Sequence, residues 1–351
     1  MRKLRINVSG GYDVLIGSGL LLSLGEQIAK MGAEKACIVS DDNVFPLYGD
    51  ILVSSLADTG VKAEKYVILH GERSKNLNVY ASLMERMRDF RLSGSDVLIA
   101  LGGGVVGDLG GFAASTYHRG IPLVQIPTSL LACVDSSVGG KTALNLPSGK
   151  NQLGTFYQPS LVICDIDTLH TLPTEEYRCG SAEIIKYAIL ESEDFLREIT
   201  DNSIGDMYEV VISRCVDIKR RYVEADEFDR GKRMLLNFGH TLGHAIEAES
   251  NYSVSHGCAV AAGMGAITSL CVEKGICSGD TEKLLLSALD KYSLPSALMY
   301  PLDRLLPLIL NDKKSREGKI RFVLLSQIGN CFIHEIHEEE LDLWLRNGGL
   351  K

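Results

Sequence analysis

The sequence has no excess of positive charge. Its 36 Lys and Arg residues stand against 45 Asp and Glu residues, which gives a formal net charge of −9 at pH 7. A chain with this balance has no general attraction for nucleic acid or anionic lipid. We therefore expect neither partner, and any anionic small molecule must be held by a local group of cations.

Paired cysteines and long apolar runs are also lacking. The nine cysteines are scattered and include no C-x-x-C pair, which is typical of reduced, buried thiols rather than of a disulfide framework. The longest uncharged run, residues 257–272, is shorter than the roughly 20 residues of a membrane-spanning helix. The amino-terminal positive charges are not followed by an apolar segment, so we expect no secretory signal. These absences predict a cytoplasmic protein.

What is present predicts two domains. A chain of 351 residues with 45% hydrophobic and 23% charged residues is typical of a soluble globular protein. Short apolar runs alternate with helical patterns up to residue 170, which predicts an α/β nucleotide-binding, Rossmann-like domain with a parallel sheet over residues 1–170. The helical patterns that follow predict a second, mostly helical domain over residues 171–351, which we expect to bind the metal and the substrate. The predicted strands are 36–40, 66–69, 96–101, 123–126, 161–164, 319–325 and 331–336, with a hairpin over 4–16; the predicted helices include 175–199, 208–225, 235–249, 259–274 and 281–291.

A glycine loop follows the predicted strand 96–101. Gly102, Gly104 and Gly107 fit G-x-G-x-x-G between a strand and a helix, where backbone N–H groups can approach a pyrophosphate. A tight turn without a ligand is the alternative. The acidic residue expected about 20 residues later is missing, and acidic residues lie upstream instead, at 41, 42 and 72. The adenosine end of a bound nucleotide would then lie over the earlier strands.

A second glycine turn precedes Lys141. A nucleoside-triphosphate P-loop would need glycine five residues before Gly140, and Asp135 stands there, so that interpretation fails. Lys141 beside Asp135, with Lys150 and Asn151 downstream, suits a bound phosphate. A solvated loop is an equally good interpretation of these residues alone.

Histidines cluster in the second half of the chain. His240, His244 and Glu247 stand at i, i+4 and i+7 and so share one helix face. His256 follows, and Glu183 lies upstream. Two histidines and a glutamate with an open position suit a catalytic zinc ion. The spacing alone cannot choose between His240 and His244, and an ordinary core histidine is the alternative for each.

Cations gather in the same half despite the acidic total. Most such charges lie on solvated faces. As a set around a metal and a cofactor loop, however, they suggest a substrate with both a phosphate and a carboxylate. The cations are Lys219, Arg233, Lys313, Lys314 and, earlier in the chain, Arg119.

Between about residues 100 and 325 the chain resembles the 3-dehydroquinate synthase family. The matching stretches, in order, are LGGGVVGDLGGFAAS, RGIPLVQIPTSLLACVDSSVGGKTALN, GKNQLGTFYQP, CGSAEIIKYAIL, VEADEFDRGKRMLLNFGHTLGHAIE, HGCAVAAGM and NDKKSREGKIRFVLL. The resemblance implies a homodimeric cytoplasmic lyase of the shikimate pathway that uses NAD and a divalent metal, zinc or cobalt. It would convert 3-deoxy-D-arabino-heptulosonate 7-phosphate to 3-dehydroquinate and phosphate.

The resemblance also assigns roles to individual residues. It implies metal ligation by Glu183, His240 and His256, and catalytic roles for Asp135, Lys141, Lys186 and His244. It implies substrate binding by Arg119, Lys150, Asn151, Lys219, Arg233, Asn237 and Lys313, with Arg119 reaching into the site of the partner subunit. It implies NAD binding by Asp41, Asn43, Glu72, Lys75, Gly103, Gly104, Val105, Asp108, Thr128 and Ser129. The adjacent Lys313 and Lys314 cannot be told apart by their sequence, and Cys258 stands where the family often has glutamate.

The implied reaction uses NAD as a catalyst rather than as a consumed reagent. A hydride leaves C5, phosphate is eliminated, the hydride returns, and an intramolecular aldol reaction closes the ring. Two other enzymes and one non-enzyme remain as alternatives: a sugar phosphate cyclase whose substrate lacks a carboxylate, a metal-dependent alcohol or polyol dehydrogenase, and an inactive NAD-binding subunit.

Overall fold

The computed structural model describes residues 1–311 and 318–351. The described chain divides into two compact units, Met1–Pro173 with Tyr208–Phe228, and Thr174–Met207 with Asp229–Lys351. The division at Pro173 lies close to the predicted boundary at residue 170. The segment Tyr208–Phe228 differs from the prediction, because it belongs to the first unit rather than the second. Within the described residues, no helix is both long enough and apolar enough to cross a bilayer.

The first unit is built on a seven-stranded sheet in the order β1-β2-β9-β6-β5-β3-β4. All neighbouring strands are parallel except β1 and β2, which form the predicted hairpin. A separate antiparallel hairpin, β7–β8, was not predicted. The strands are β1 Arg2–Ile6, β2 Tyr12–Gly17, β3 Lys35–Asp41, β4 Lys62–Ile68, β5 Val97–Gly102, β6 Leu123–Pro127, β7 Lys141–Leu146, β8 Gly149–Phe156 and β9 Leu161–Asp165.

Helices cover both faces of this sheet. They are α1 Leu24–Lys30, α2 Phe45–Asp58, α3 Leu77–Asp89 and α4 Gly104–Thr116. One apolar cluster joins α1 and α2 to one face, and a second joins α3 and α4 to the other. The central strand β5 is buried along its whole length, as expected for a parallel sheet covered on both sides. The predicted α/β nucleotide-binding fold is confirmed.

A later helix, α7 (Tyr208–Ala225), completes the first unit. Glu224 on α7 accepts hydrogen bonds from the backbone and the side-chain amide of Asn7, at 2.8 and 3.0 Å. Lys219 on the same helix forms an ion pair with Asp135. These polar contacts explain why α7 packs with the first unit although its sequence pattern resembles that of the following helices.

The second unit is mostly helical, as predicted. Its helices are α5 Thr174–Glu191, α6 Glu193–Asp201, α8 His240–Glu249, α9 His256–Glu273, α10 Gly279–Lys291, α11 Leu302–Asn311 and α12 Leu341–Arg346, and β10 Lys319–Gln327 pairs with β11 Asn330–His337. The single predicted helix 175–199 is two helices, because the Ser192 side chain accepts a hydrogen bond from Phe195 N and starts α6. The helix predicted from 235 begins at His240, because Gly239 has a φ of 78°.

Candidate active site

The glycine loop lies at the carboxyl end of β5. Gly103 precedes the first turn of α4, which starts at Gly104. A Cβ at Gly103 would stand 3.4 Å from Ser129 Oγ, and one at Gly104 would stand 3.2 Å from Ser136 Oγ. Backbone N–H groups are therefore approachable at the start of a helix, which is the arrangement that holds a pyrophosphate. Val105 in this first turn is half-buried and packs against the apolar cluster of α3 and α4. Thr128 N donates to Gly102 O at 3.1 Å.

A buried lysine joins several of the predicted cofactor residues. Lys75, 4% exposed, lies with Nζ 2.5 Å from Asp108 Oδ2, 2.6 Å from Asn151 Oδ1 and 3.7 Å from Glu72 Oε1. Burial raises the pKa of Asp108 above its usual value, and the charge of Lys75 opposes that rise. A polar cluster of this kind can orient a ribose or a nicotinamide amide.

Asn145 belongs to the same cluster, although the sequence did not predict it as a site residue. Its side chain donates to Glu72 Oε1 at 2.7 Å and accepts from Asn151 N at 2.8 Å, and its backbone N–H donates to Lys75 O at 2.9 Å. Nothing in its spacing from the glycine turn marks it. The pairing of β7 with β8 brings it there.

Two of the predicted NAD contacts, Asp41 and Asn43, lie at the carboxyl end of β3. Asp41 Oδ1 accepts from the backbone N–H groups of Asn43 and Val44, at 3.0 and 2.9 Å. The carboxylate of Asp41 therefore shapes the turn into α2, while Asn43 is exposed. The structure gives both residues a place at the carboxyl edge of the sheet, and their contact with NAD remains a prediction.

Asp135 lies on a π-helical turn, Ala132–Ser136, a feature that is frequent at functional sites. Lys219 Nζ donates to Asp135 O at 2.7 Å and pairs with its carboxylate. The following turn needs glycine, since Gly139 and Gly140 have φ values of 89° and 71°. Gly139 N donates to Tyr12 OH at 3.1 Å. This turn leads into β7 and presents Lys141, which is exposed.

Arg119 occupies a strained loop between α4 and β6. Two consecutive residues, His118 and Arg119, have φ values of 48° and 66°, and Gly120 follows with 125°. Both side chains are exposed. Non-glycine residues persist in this region only where the surrounding structure enforces it. The loop therefore projects Arg119 from the surface.

Three predicted metal ligands of the second unit lie together. Their ligand atoms are all within 4.8 Å of one another. His240 Nε2 is 3.5 Å and His256 Nε2 is 3.4 Å from Glu183 Oε1. The Glu183 side chain is fully buried, and its second oxygen pairs with Lys186.

The ring nitrogens facing away from Glu183 also have partners. His240 Nδ1 lies 3.1 Å from the carbonyl oxygen of Phe238, and His256 Nδ1 lies 3.1 Å from Glu247 Oε2. With Nδ1 donating in each ring, both Nε2 atoms can offer a lone pair to a metal. Two imidazoles and one carboxylate, with room for further ligands, are the donor set of a catalytic zinc or cobalt site. The residues fit the ion.

The pKa values of His240 and His256 are shifted in opposite directions. Burial lowers the pKa of His240 well below its usual value, so this ring is neutral. Burial also works to lower the pKa of His256, but hydrogen bonds to Glu183 and Glu247 outweigh it and raise that pKa to about 10. A bound divalent ion would take the place of a proton on His256, since metal ligands bind in their deprotonated form.

Close helix packing holds these side chains in place. A Cβ on Gly257 would come within 2.3 Å of Cys179 Cα, which fixes α9 directly against α5. A Cβ on Gly263 would come within 2.1 Å of Gly239 O, and one on Gly243 within 3.1 Å of Val260 Cα, which fixes α9 against α8. Contacts between helix backbones therefore fix the positions of the helices that carry the three predicted ligands.

His244 lies beside the metal set. Its ring centroid is 5.5 Å from that of His240 and 6.2 Å from that of His256. Together with Glu247 and His256 it forms a second, overlapping group of potential ligands. His240 belongs to the group that contains Glu183, and His244 belongs to the second group. Ligation by His240 remains a prediction.

Two of the remaining predicted substrate residues, Arg233 and Asn237, lie on a 3-10 turn, Lys232–Asn237, that precedes α8. Arg233 on this turn is 2% exposed, and a buried guanidinium is suited to bidentate binding of a carboxylate. Asn237 ends the turn. Lys150 lies in β8 and is half-buried. Lys313 and Lys314 lie outside the described residues.

Family models match most of the chain. The 3-dehydroquinate synthase N-terminal model matches residues 65–179, and the C-terminal model matches residues 180–315. The chain belongs to the 3-dehydroquinate synthase family. The 3-dehydroquinate synthase of Clostridium acetobutylicum is 42% identical over 342 residues, 95% of this chain and 96% of that protein. The Streptococcus sanguinis enzyme is 40% identical over 359 residues, 98% of this chain and 99% of that protein.

Solved structures of sugar phosphate cyclases share the fold. The 2-epi-5-epi-valiolone synthase of Streptomyces hygroscopicus, solved with NAD+ and Zn2+ bound, is 26% identical with a TM-score of 0.86, covering 98% of this chain and 97% of that chain. A 2-deoxy-scyllo-inosose synthase complexed with carbaglucose-6-phosphate, NAD+ and Co2+ is 24% identical with a TM-score of 0.89, covering 99% and 100%. An iron-containing alcohol dehydrogenase is more distant, at 17% identity and a TM-score of 0.63 over 97% and 98%.

Proposed function

We propose that this protein is a 3-dehydroquinate synthase that uses NAD and a divalent metal, zinc or cobalt. It converts 3-deoxy-D-arabino-heptulosonate 7-phosphate to 3-dehydroquinate and phosphate in the shikimate pathway. The observation that carries the proposal is the buried Glu183 carboxylate facing the Nε2 atoms of His240 and His256, in a chain about 40% identical to 3-dehydroquinate synthases along nearly its whole length.

The cofactors supply the chemistry that amino-acid side chains lack. Bound NAD would supply reversible hydride transfer, and a divalent ion held by Glu183, His240 and His256 would supply Lewis acidity for the substrate hydroxyls. The predicted cofactor residues lie in the first unit and the predicted metal ligands in the second.

The chain's own cations hold the substrate. Arg233 binds its carboxylate through a buried fork of donors, and Lys141 and Lys150, with Asn151, bind its phosphate. Lys186 holds the orientation of Glu183 through their ion pair. His244, beside the metal set, assists the departure of the phosphate. Lys219 fixes Asp135 and its π-helical turn through two contacts to that residue.

The dehydrogenase alternative predicts a different use of NAD. A dehydrogenase converts one NAD to NADH per substrate, whereas a reaction that returns its hydride leaves NAD unchanged. The cyclase alternative predicts a different substrate, a phosphosugar without a carboxylate. The buried Arg233 favours a substrate that carries one, since a guanidinium binds a carboxylate through two parallel hydrogen bonds.

The deciding experiment measures phosphate release from the heptulosonate phosphate with NAD far below the substrate concentration. We expect many phosphates released per NAD and no accumulation of NADH. His240→Ala is the inactive control, and Lys232→Ala, an exposed neighbour of Arg233, is the active one. Accumulation of one NADH per substrate, or release from a phosphosugar without a carboxylate at the same rate, would contradict the proposal.

We also propose a cytoplasmic homodimer in which Arg119 reaches the active site of the partner subunit. The exposed, strained loop at His118–Arg119 supports this role, because its side chains project from their own subunit. All nine cysteines are free thiols, which supports a reducing compartment.

A further inference from the structure

We propose that Glu247 is a positioning residue for the metal ligand His256. The inference rests on the proposed function, because it assumes that the set formed by Glu183, His240 and His256 holds a divalent ion. Glu247 does not belong to that set. Its carboxylate acts through the ring of His256, which it orients and whose proton it places.

The geometry of the His256 ring carries this role. Its Nδ1 lies 3.1 Å from Glu247 Oε2 and its Nε2 lies 3.4 Å from Glu183 Oε1. The ring is therefore held at both nitrogens, each by a different carboxylate. Only with the proton on Nδ1 does Nε2 offer a lone pair toward the Glu183 side, where the ion is expected. Glu247 favours that tautomer, since an ionised carboxylate can only accept.

The Glu247 side chain is nearly inaccessible, at 7% exposure, whereas that of His256 is 32% exposed. An exposed imidazole can rotate and exchange tautomers unless a partner prevents it. A buried carboxylate is a costly partner that needs a compensating charge. A metal-bound imidazole would provide that charge, so the pair would stabilise the ring in its ligating orientation.

The two histidine ligands have different anchors. His240 Nδ1 faces a neutral backbone carbonyl, that of Phe238, whereas His256 Nδ1 faces a charged carboxylate. A carboxylate partner raises the basicity of the imidazole more strongly than a carbonyl does and strengthens its bond to the metal.

The packing of α8 against α9 brings Glu247 to His256. Glu247 lies two turns after His240 on α8, on the same face. Gly243, between them, lets α8 approach the backbone of α9 at Val260. One helix thus supplies a ligand and, two turns later, the residue that orients a second ligand on its neighbour.

The test compares metal affinity in Glu247→Ala, Glu247→Gln and the unchanged protein, by competition for Zn2+ and Co2+ with a chromogenic chelator and without substrate. We expect the Ala variant to bind the metal about 10- to 100-fold more weakly. The Gln variant should lose less, because its carbonyl oxygen still accepts from Nδ1. The Co2+ absorption spectrum should retain its shape in the Gln variant and change in the Ala variant.

The matched control is Glu249→Gln on the same helix. Glu249 pairs with Arg304 and has no place in the metal set, so we expect unchanged affinity. NAD binding and unfolding of the metal-free protein report on the fold. If the Ala variant does not fold, the Gln variant decides: a loss above about twofold supports the inference, and a smaller loss overturns it.

Metal affinity within about twofold of the unchanged protein in both folded variants would overturn the role of Glu247. An equal loss in Glu249→Gln would also overturn it. Neither result would contradict the proposed function. That function fails separately, if the unchanged protein binds neither Zn2+ nor Co2+.

Discussion

Gly257 lies directly against the backbone of Cys179. A Cβ at Gly257 would be 2.3 Å from Cys179 Cα and 2.4 Å from its carbonyl oxygen. Gly257 follows the proposed metal ligand His256, and Cys179 stands one turn before the proposed ligand Glu183 on α5. The closeness of these two helix backbones therefore sets the separation of the two proposed ligands.

We expect Gly257→Ala to lower the free energy of unfolding by about 1–3 kcal/mol, because α5 and α9 must move apart to admit the methyl group. The same shift should weaken metal binding. Gly279→Ala is the control, since its Cβ would meet nothing within 4 Å. Chemical denaturation and chelator competition measure both effects. Equal results for the two variants would show that the helix contact is not limiting.

Removal of the metal should abolish activity. Dialysis against a strong chelator removes the ion, and we expect Zn2+ or Co2+ to restore phosphate release while Mg2+ does not, because two imidazoles favour transition metals over hard cations. Activity that survives complete removal, checked by elemental analysis, would show that the Glu183 set does not hold a required ion.

Arg233→Ala should weaken substrate binding while leaving NAD affinity nearly unchanged. The loss of a bidentate charged partner should raise KM by about 10- to 100-fold. Lys232→Ala is the matched control, because Lys232 is exposed and Arg233 is 2% exposed. Steady-state kinetics give KM, and fluorescence titration gives the NAD affinity. An equal loss of substrate and NAD binding would contradict the carboxylate role.

A mixing experiment tests the proposed placement of Arg119. Arg119→Ala and Lys186→Ala should each be inactive alone. After unfolding and joint refolding in equal amounts, half of the dimers are mixed, and each mixed dimer contains one complete site if Arg119 acts across the interface. We expect about a quarter of normal activity to return. If Arg119 serves its own subunit, no site is complete and no activity returns.

Stability at low pH should depend on Asp96, which lies just before β5. Burial works to raise the pKa of Asp96, but hydrogen bonds from Ser93 and from Lys35 N outweigh it and lower that pKa. A lowered folded-state pKa adds stability above the ordinary carboxyl pKa, and this stability is lost as the pH falls. Asp96→Asn should remove about 1 kcal/mol at pH 7 and less at pH 3. The control is Asp89→Asn, at an exposed position. A difference that does not shrink with pH would contradict the assignment.

Part of the site was predictable because helix periodicity relates residues within one element. Spacing alone placed His240, His244 and Glu247 on one face. It could not show that His240 turns toward Glu183 while Glu247 turns toward His256, since these partners come from other helices. The resemblance to a family supplied the ligand set, but it assigned Glu247 no role.

The fold shows the same limit. Buried β-rich runs predicted the parallel strands β3, β5, β6 and β9, because a covered parallel sheet needs continuous apolar residues. The pattern of α7 predicted a helix correctly and its unit wrongly. Helical periodicity does not reveal which core a helix packs against; in α7, Lys219 and Glu224 decide it through contacts with Asp135 and Asn7.

The return of α7 to the first unit has a practical consequence for any attempt to prepare that unit separately. A fragment that stops at Pro173 would lack α7, which packs against the edge strand β1 and the π-helical turn. The side chains of Asn7 and Asp135 would then lose their partners on α7. The second unit consists of two chain segments, Thr174–Met207 and Asp229–Lys351, and these would have to be joined if α7 were removed. A separate first unit would therefore need Tyr208–Phe228 reattached by an artificial linker.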